Sequence, residues 1–353
     1  MKSLFEPAIR TWQGWRGGST PLPEIAAIPP ERCEPAGSAG TVIRRDRMYF
    51  TVRLNEMHLA ENRQWWAVYD PLVVITVGFN HGGARVTVPA IIGPDLIRRQ
   101  SPEDQPRFGV VLRNVRVTGP HPYRGSDIDV SLAFYRLQRT DHARSLLNIV
   151  DGIASSLGAP GEMATALRFG GALLDGVGAL LGLRDTEFLA GQRISLATSA
   201  VDPLTQQYCA LVAPPAPAAD ALHVRTARLT TEAGAPYQES DFVLWSVTGQ
   251  EQRGDENLLP FYPLKMQAIA AVFDGEDGVK RAKANLLAAY QQMRTSPDVT
   301  IAEAGLLFDA WLNEFEAEKQ RLERTRAMPV QPHAPAPDAM AIELGDVVRR
   351  LRL

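Results

Sequence analysis

Residues 73–88 read VVITVGFNHGGARVTV. Side chains alternate between the two faces of an extended chain, so Val73, Ile75, Val77 and Phe79 fall on one face. Asn80-His81-Gly82-Gly83 then supplies a turn, and Val86 and Val88 begin a return strand. This spacing predicts a β-hairpin. It marks the surrounding region as antiparallel β, because the flanking segments repeat the alternation.

Upstream, Met48, Phe50, Val52 and Leu54 alternate with Tyr49, Thr51, Arg53 and Asn55, the pattern of a half-buried strand. Downstream, Phe108, Val110 and Leu112 share a parity that Val115 and Val117 do not, and a bulge near Asn114 reconciles them. Ile128, Val130, Leu132 and Phe134 alternate again. Residues 41–140 are therefore predicted to form an antiparallel β-sandwich. In outline this resembles C2-like modules, and likeness at that level carries no function. Residues 184–262 return to strand-like patterns at Ile194–Thr198, Gln207–Val212, His223–Leu229 and Asp241–Val247, with Pro214-Pro215-Ala-Pro217 as an exposed loop. The simplest expectation is a second small sheet. The alternative lets some of these strands complete the first sandwich.

Between the two β regions lie residues 141–183, predicted as a helical hairpin. Leu146, Leu147, Ile149, Val150, Ile153 and Leu157 recur at helical spacing, and Gly158-Ala-Pro160-Gly161 breaks the pattern. The second run carries Leu167, Leu174, Val177, Leu180 and Leu181, interrupted by Gly170, Gly171, Gly176, Gly178 and Gly182. Each interior glycine costs a helix roughly 1 kcal/mol relative to Ala. The usual return is close approach of another backbone, so Gly171, Gly178 and Gly182 are the expected close-packing positions. Gly178 and Gly182 have the GxxxG spacing of tightly packed membrane helices. Arg168 and Asp175, however, divide the run below the ~20 apolar residues that a spanning helix needs.

Residues 263–328 read as a C-terminal helical hairpin. Val279, Ala282, Leu286, Tyr290 and Met293 share one face, Ser296-Pro297-Asp298 breaks the chain, and Thr300 with Glu303 fits a capping box. Ile301, Ala304, Leu307, Phe308, Trp311, Leu312 and Phe315 give the next helix a broad apolar face. Glu316–Lys319, Glu318–Arg321 and Glu323–Arg326 are spaced as surface pairs. A Pro-rich linker at 329–337 leads to the tail 338–353, in which Met340, Leu344, Val347, Val348 and Leu351 line one side. A short amphipathic helix is marginal alone and gains stability by laying that side into a groove. At the other end, residues 1–40 form an irregular arm in which Pro21, Pro23, Pro29, Pro30 and Pro35 exclude a long helix.

The 353 residues are 45% hydrophobic and 22% charged, an ordinary globular composition. A net charge of −3 gives no overall attraction to nucleic acid or to an acidic membrane. Arg44, Arg45, Arg47 and Arg53 cluster, as a solvated strand face does. Cys33 and Cys209 support neither a disulfide framework nor a zinc spacing. The opening MKSLFEPAIRTW lacks an apolar signal core, so a cytoplasmic location is expected.

The motif with most chemical content is Arg124-Gly-Ser-Asp127-Ile-Asp129. Two carboxylates on one strand face project together and can hold a divalent ion. The run resembles the metal-binding strand of small nucleotidyltransferases, which implies a metal at Asp127 and Asp129 and nucleotidyl or glycosyl transfer. That family also carries a Gly-Ser pair upstream at a helix N-terminus, where this chain has Val117-Thr-Gly119-Pro-His-Pro. The simpler reading turns Ile128, Val130 and Leu132 inward and both aspartates to water. His58, His81, His121, His142, His223 and His333 show no metal-ligand spacing. The leading expectation is a non-enzymatic interaction or assembly protein without cofactor. Its partner is another protein or another copy of the chain, met through the helical regions and the tail. The alternatives are a pore-forming type of effector that releases residues 142–183 into a membrane, and the metal-dependent transferase.

Overall fold

The computed structural model describes residues 24–60, 63–64, 67–93, 110–138, 186–196, 203–214 and 221–327. The expected hairpin at 141–183 with Gly171, Gly178 and Gly182, the linker at 329–337 and the tail with Met340, Leu344, Val347, Val348 and Leu351 lie outside these residues. So does the first part of the N-terminal arm. What is described is mixed α+β, with antiparallel sheets and a few helices.

In chain order the strands are β1 (Glu24–Ile28), β2 (Cys33–Glu34), β3 (Tyr49–His58), β4 (Arg63–Gln64), β5 (Ala67–His81), β6 (Ala84–Ile92) and β7 (Val110–Pro122). Then come β8 (Ile128–Gln138), β9 (Thr186–Leu196), β10 (Gln207–Val212), β11 (Leu222–Arg225), β12 (Arg228–Thr231) and β13 (Phe242–Gln250). The helices are α1 (Tyr262–Ala271), α2 (Gly275–Thr295) and α3 (Ile301–Ala327).

One sheet runs β1-β10-β13-β3-β7, every neighbour antiparallel. A second runs β4-β5-β8-β9, with β6 also paired to β5. A third, small sheet is β12-β11-β2. Residues 184–262 therefore do not form one separate sheet. β10 and β13 enter the first sheet beside β3, and β9 joins the second beside β8. The cause lies in β13, whose Phe242–Val247 segment is buried at every position. A strand apolar on both faces needs a central place with a layer on each side.

The same reasoning corrects the reading of β3. Phe50, Val52 and Leu54 do face a core, shared with Val73, Ile75, Val77, Phe134 and Trp245 of the two large sheets. Yet Tyr49, Thr51 and Asn55 are also buried, at 0%, 1% and 0% exposure, so the strand is not half-exposed. Its outer neighbours belong to a second cluster in which Tyr208, Ala210, Phe242 and Leu244 of the first sheet meet Leu222, Val224 and Leu229 of the small one. The first sheet is thus the middle of three layers.

The hairpin at 73–88 is present. β5 and β6 pair through to His81 opposite Ala84, with Gly82 and Gly83 at φ +58° and +81°. Positive φ at both central residues matches the right-handed twist of the strands, and glycine adopts it without a Cβ penalty. The bulge in β7 is present as well. Leu54 pairs Val115 but Glu56 pairs Val111, so residues 112–114 oppose Asn55 alone.

The described residues divide into two compact units, the sheets with residues 290–306, and residues 263–289 with 307–327. In α2, Ala282, Leu286 and Met293 are buried as their spacing predicts. In α3 the expected pair Glu318–Arg321 forms, and Lys319 pairs with Glu323. Among the described residues no helix is long and apolar enough to cross a membrane.

Candidate functional site

The richest polar cluster lies where the start of α3 meets the start of β3. Thr300 caps α3: its Oγ1 accepts from the Glu303 N–H at 3.1 Å, one half of the expected capping box. The other half is rerouted. The Thr300 N–H donates to the Tyr49 hydroxyl at 2.9 Å, and that hydroxyl donates to Glu303 Oε2. A phenol from another element is thus inserted into the box. Glu303 Oε1 accepts the Arg253 N–H at 2.9 Å, so both carboxylate oxygens are engaged. Burial pushes the Glu303 carboxyl above its ordinary pKa, against the hydrogen bonds from Tyr49 and Arg253 that pull it down. Burial, and then the facing carboxylate, raise the Tyr49 phenol as well.

Around this clasp sit more charges. The Arg253 guanidinium grips Asp255 through Nε at 2.7 Å and Nη2 at 3.2 Å, and donates from Nη1 to the Asp298 carbonyl at 2.7 Å. Arg124 donates to the Val299 carbonyl at 2.9 Å and to Asp46 at 3.1 Å. The break 296–300 between α2 and α3 is therefore tied by backbone carbonyls to arginines from two strand ends. His81 Nε2 lies 3.6 Å from Asp298 Oδ1. His121 stacks on Phe79 at 4.4 Å between centroids, and its Nε2 lies 2.7 Å from Thr118 Oγ1. Burial first, then the charge of His81 and nearby arginines, lower the His121 pKa to about 3. Burial lowers His81 too, despite Asp298.

These groups satisfy one another, which is the chemistry of a structural clasp. A second buried acid behaves alike. Glu56 accepts the Leu229 N–H at 2.8 Å and faces Arg228 at 3.4 Å, linking β3 to the small sheet. Burial raises its pKa as well. The spacing of the capping box made Thr300 and Glu303 visible in the sequence. Tyr49 and Arg253, which complete it, are 254 and 50 residues from Glu303, and no local pattern marks them.

The alternative metal pair, Asp127 and Asp129, lies beside an arginine. Ile128, Val130 and Leu132 are buried, and Asp127 and Asp129 lie on the other face. Arg85 of β6 forms an ion pair with Asp129 and donates to the Asp127 carbonyl at 2.7 Å. A guanidinium therefore supplies the positive charge beside Asp129. Among the described residues no group of three His, Cys, Asp or Glu side chains is arranged to hold a metal. Both cysteines are free and buried, and burial pushes their thiols up to about 11 for Cys33 and about 12 for Cys209.

A different kind of surface appears on the helices. The α1 sequence YPLKMQAIAA is apolar nearly all round. A helix of that character is normally enclosed. Ala268, Ala271 and the following Val272 are buried, and Lys265 lays its ammonium 5.4 Å from the Trp311 ring centroid while pairing with Glu314 at 2.7 Å. The other side is open: Met266 is 50% exposed and Ala270 is exposed too, and in the 3-10 turn Val272–Asp274 after α1 Phe273 is 55% exposed. No protein-family model matches the chain, and the comparisons with curated proteins and with solved structures give no match either.

Proposed function

We propose that this is a non-enzymatic interaction or assembly protein. In this reading the layered β core, the β-sandwich of the sequence analysis carried into three layers, is the scaffold. The C-terminal helices and the stretch after them take up a partner, either another protein or a second copy of the chain. The observation that carries it is the open side of α1, where Met266 and Ala270 are exposed, and the exposed Phe273 in the 3-10 turn Val272–Asp274 that follows it. Large apolar side chains exposed close together along the chain support a place of contact. The polar clusters support the same reading, since their charges are spent on holding the break 296–300 and the small sheet.

Light scattering on the full chain and on a chain ending at residue 328 tests this. Removal of residues 329–353 is expected to change the mass or the binding of co-purifying protein, and Phe273→Glu is expected to reduce association. Identical masses and identical binding in all three proteins would exclude an assembly role for this surface.

A further inference from the structure

We infer that the first sheet, on the face turned away from the second, binds a phosphate group, held by the guanidiniums of Arg53 and Arg116 with the hydroxyls of Ser246 and Thr51. The site lies on the strands and stands or falls apart from the assembly reading. Strand register builds it. Tyr208 of β10 pairs with Ser246 of β13, Ser246 with Arg53 of β3, and Arg53 with Arg116 of β7. Paired residues point to the same side of a sheet, so adjacent strands set these side chains in one row. The flanking Val52 and Leu54, Val115 and Val117, and Trp245 and Val247 all lie in the core, which turns the row to the other face. Along β3 the row falls between Tyr49, bonded to the start of α3, and Glu56, bonded to the small sheet.

Two features of the row call for an anion. The first is like charge. Arg53 and Arg116 are directly opposite each other, where Cα atoms are about 4.5–5.5 Å apart, and equal charges so placed repel. Burial first, and then the charge of Arg116, lower the Arg53 pKa. The one acid of β3, Glu56, is already engaged by the Leu229 N–H and Arg228. The second is a pair of buried hydroxyls. Ser246 and Thr51 are each 1% exposed, and among the described residues neither Oγ has a hydrogen-bond partner. A buried polar group left so costs free energy until a ligand satisfies it. The Thr51 Oγ1 lies toward β7, 3.0 Å from where a Cβ on Gly119 would stand. Exposure rises along the row from Ser246 through half-buried Arg53 to exposed Arg116, so the site opens at the β7 edge. Phosphate fits these donors better than carboxylate does. A carboxylate has two oxygens in one plane, and one guanidinium fork satisfies it. A phosphate group has three oxygens and up to two charges, enough for both forks and a hydroxyl. Free phosphate and a small phosphomonoester share this chemistry.

Calorimetric titration of the full chain with inorganic phosphate and with phenyl phosphate tests this, at low salt and well above the second phosphate pKa of about 6. A single saturable binding step is expected. Arg116→Gln, at an exposed position, is expected to weaken it about tenfold or more. Arg281→Gln, which removes a surface guanidinium paired with Asp274, is expected to leave it unchanged. Ser246→Ala is expected to raise the thermal midpoint in phosphate-free buffer and to shrink the further rise that phosphate produces. Loss of a merely structural hydroxyl would do the reverse. Equal or tighter binding of phenyl phosphate identifies an ester as the ligand, and binding of inorganic phosphate alone identifies the free ion. No binding of either overturns the site. Equal weakening by Arg116→Gln and Arg281→Gln overturns it too, since that is diffuse surface charge. A lower midpoint for Ser246→Ala with unchanged phosphate affinity overturns the assignment of the hydroxyls.

Discussion

The hydroxyl of Tyr49 holds two buried groups at once, the Thr300 N–H and the Glu303 carboxylate. Tyr49→Phe keeps the ring and strands both. A buried polar group without a partner costs about 1–3 kcal/mol. The variant is therefore expected to lose about 2–3 kcal/mol, read as a lower urea midpoint. His121 gives a prediction in pH. In the fold it stays neutral down to about pH 3, whereas an unfolded chain takes up its proton near 6.5. Below about pH 6.5 the unfolded state binds the extra proton, so unfolding is favoured as pH falls. The contribution is present above 6.5 and is lost by about 1.4 kcal/mol per pH unit below it. His121→Gln, which keeps a hydrogen-bonding group for Thr118, is expected to flatten that slope by one proton between pH 6 and 4. An unchanged slope would show that His121 does not titrate on unfolding.

At the level of single elements, β7 carries a tight constraint. Gly119 sits at φ +106°, and a Cβ there would lie 2.7 Å from the Phe50 carbonyl oxygen and 2.9 Å from the Thr51 Cα. Both neighbours are backbone, so they cannot swing away. Gly119→Ala is expected to cost roughly 3 kcal/mol or more, as strained and overpacked sites do, whereas Gly83→Ala, with nothing within 4 Å, is expected to cost only the ~1–2 kcal/mol of a left-handed residue. Thermal unfolding of the two variants side by side checks the order. The hairpin, the bulge at 112–114 and the Thr300 cap were all legible in the sequence, because each rests on residues close together in the chain. The burial of Tyr49, Thr51 and Asn55 was not. Alternation predicts a wet outer face; Tyr49 is instead covered by Thr300 and Glu303 at the start of α3, and residues 222–231 pack as a further layer on the same sheet. Likewise Asp127 and Asp129 read correctly as outward-facing, but Arg85, which occupies Asp129, comes from another strand.

Across the whole molecule, the boundary between units falls inside two helices. Residues 290–306, the end of α2 and the start of α3, belong with the sheets. A chain ending at Tyr262 would keep every strand and still leave Tyr49, Arg124 and the Arg253 N–H without Glu303, Thr300 and the carbonyls of the break. Such a chain is expected to be recovered in inclusion bodies or to melt well below one ending at residue 328, whose sheets retain all these bonds. Limited proteolysis and circular dichroism of the two forms distinguish the outcomes. Equal stability would mean that the clasp contributes nothing to the β core.

The order β13-β3-β7 also sets a schedule for synthesis. Thr248, whose hydroxyl reaches the Thr51 carbonyl across that pairing, lies 197 residues further along the chain. At ribosomal rates of about 5–20 residues per second, β3 leaves the exit tunnel roughly 10–40 s before its neighbour exists. Once β7 has emerged it can cover one edge of β3 while the other stays open, and an open apolar edge is a template for foreign strands. Chaperone capture of nascent chains should therefore peak between the emergence of β7 and that of β13 and fall once Gln250 has cleared the tunnel.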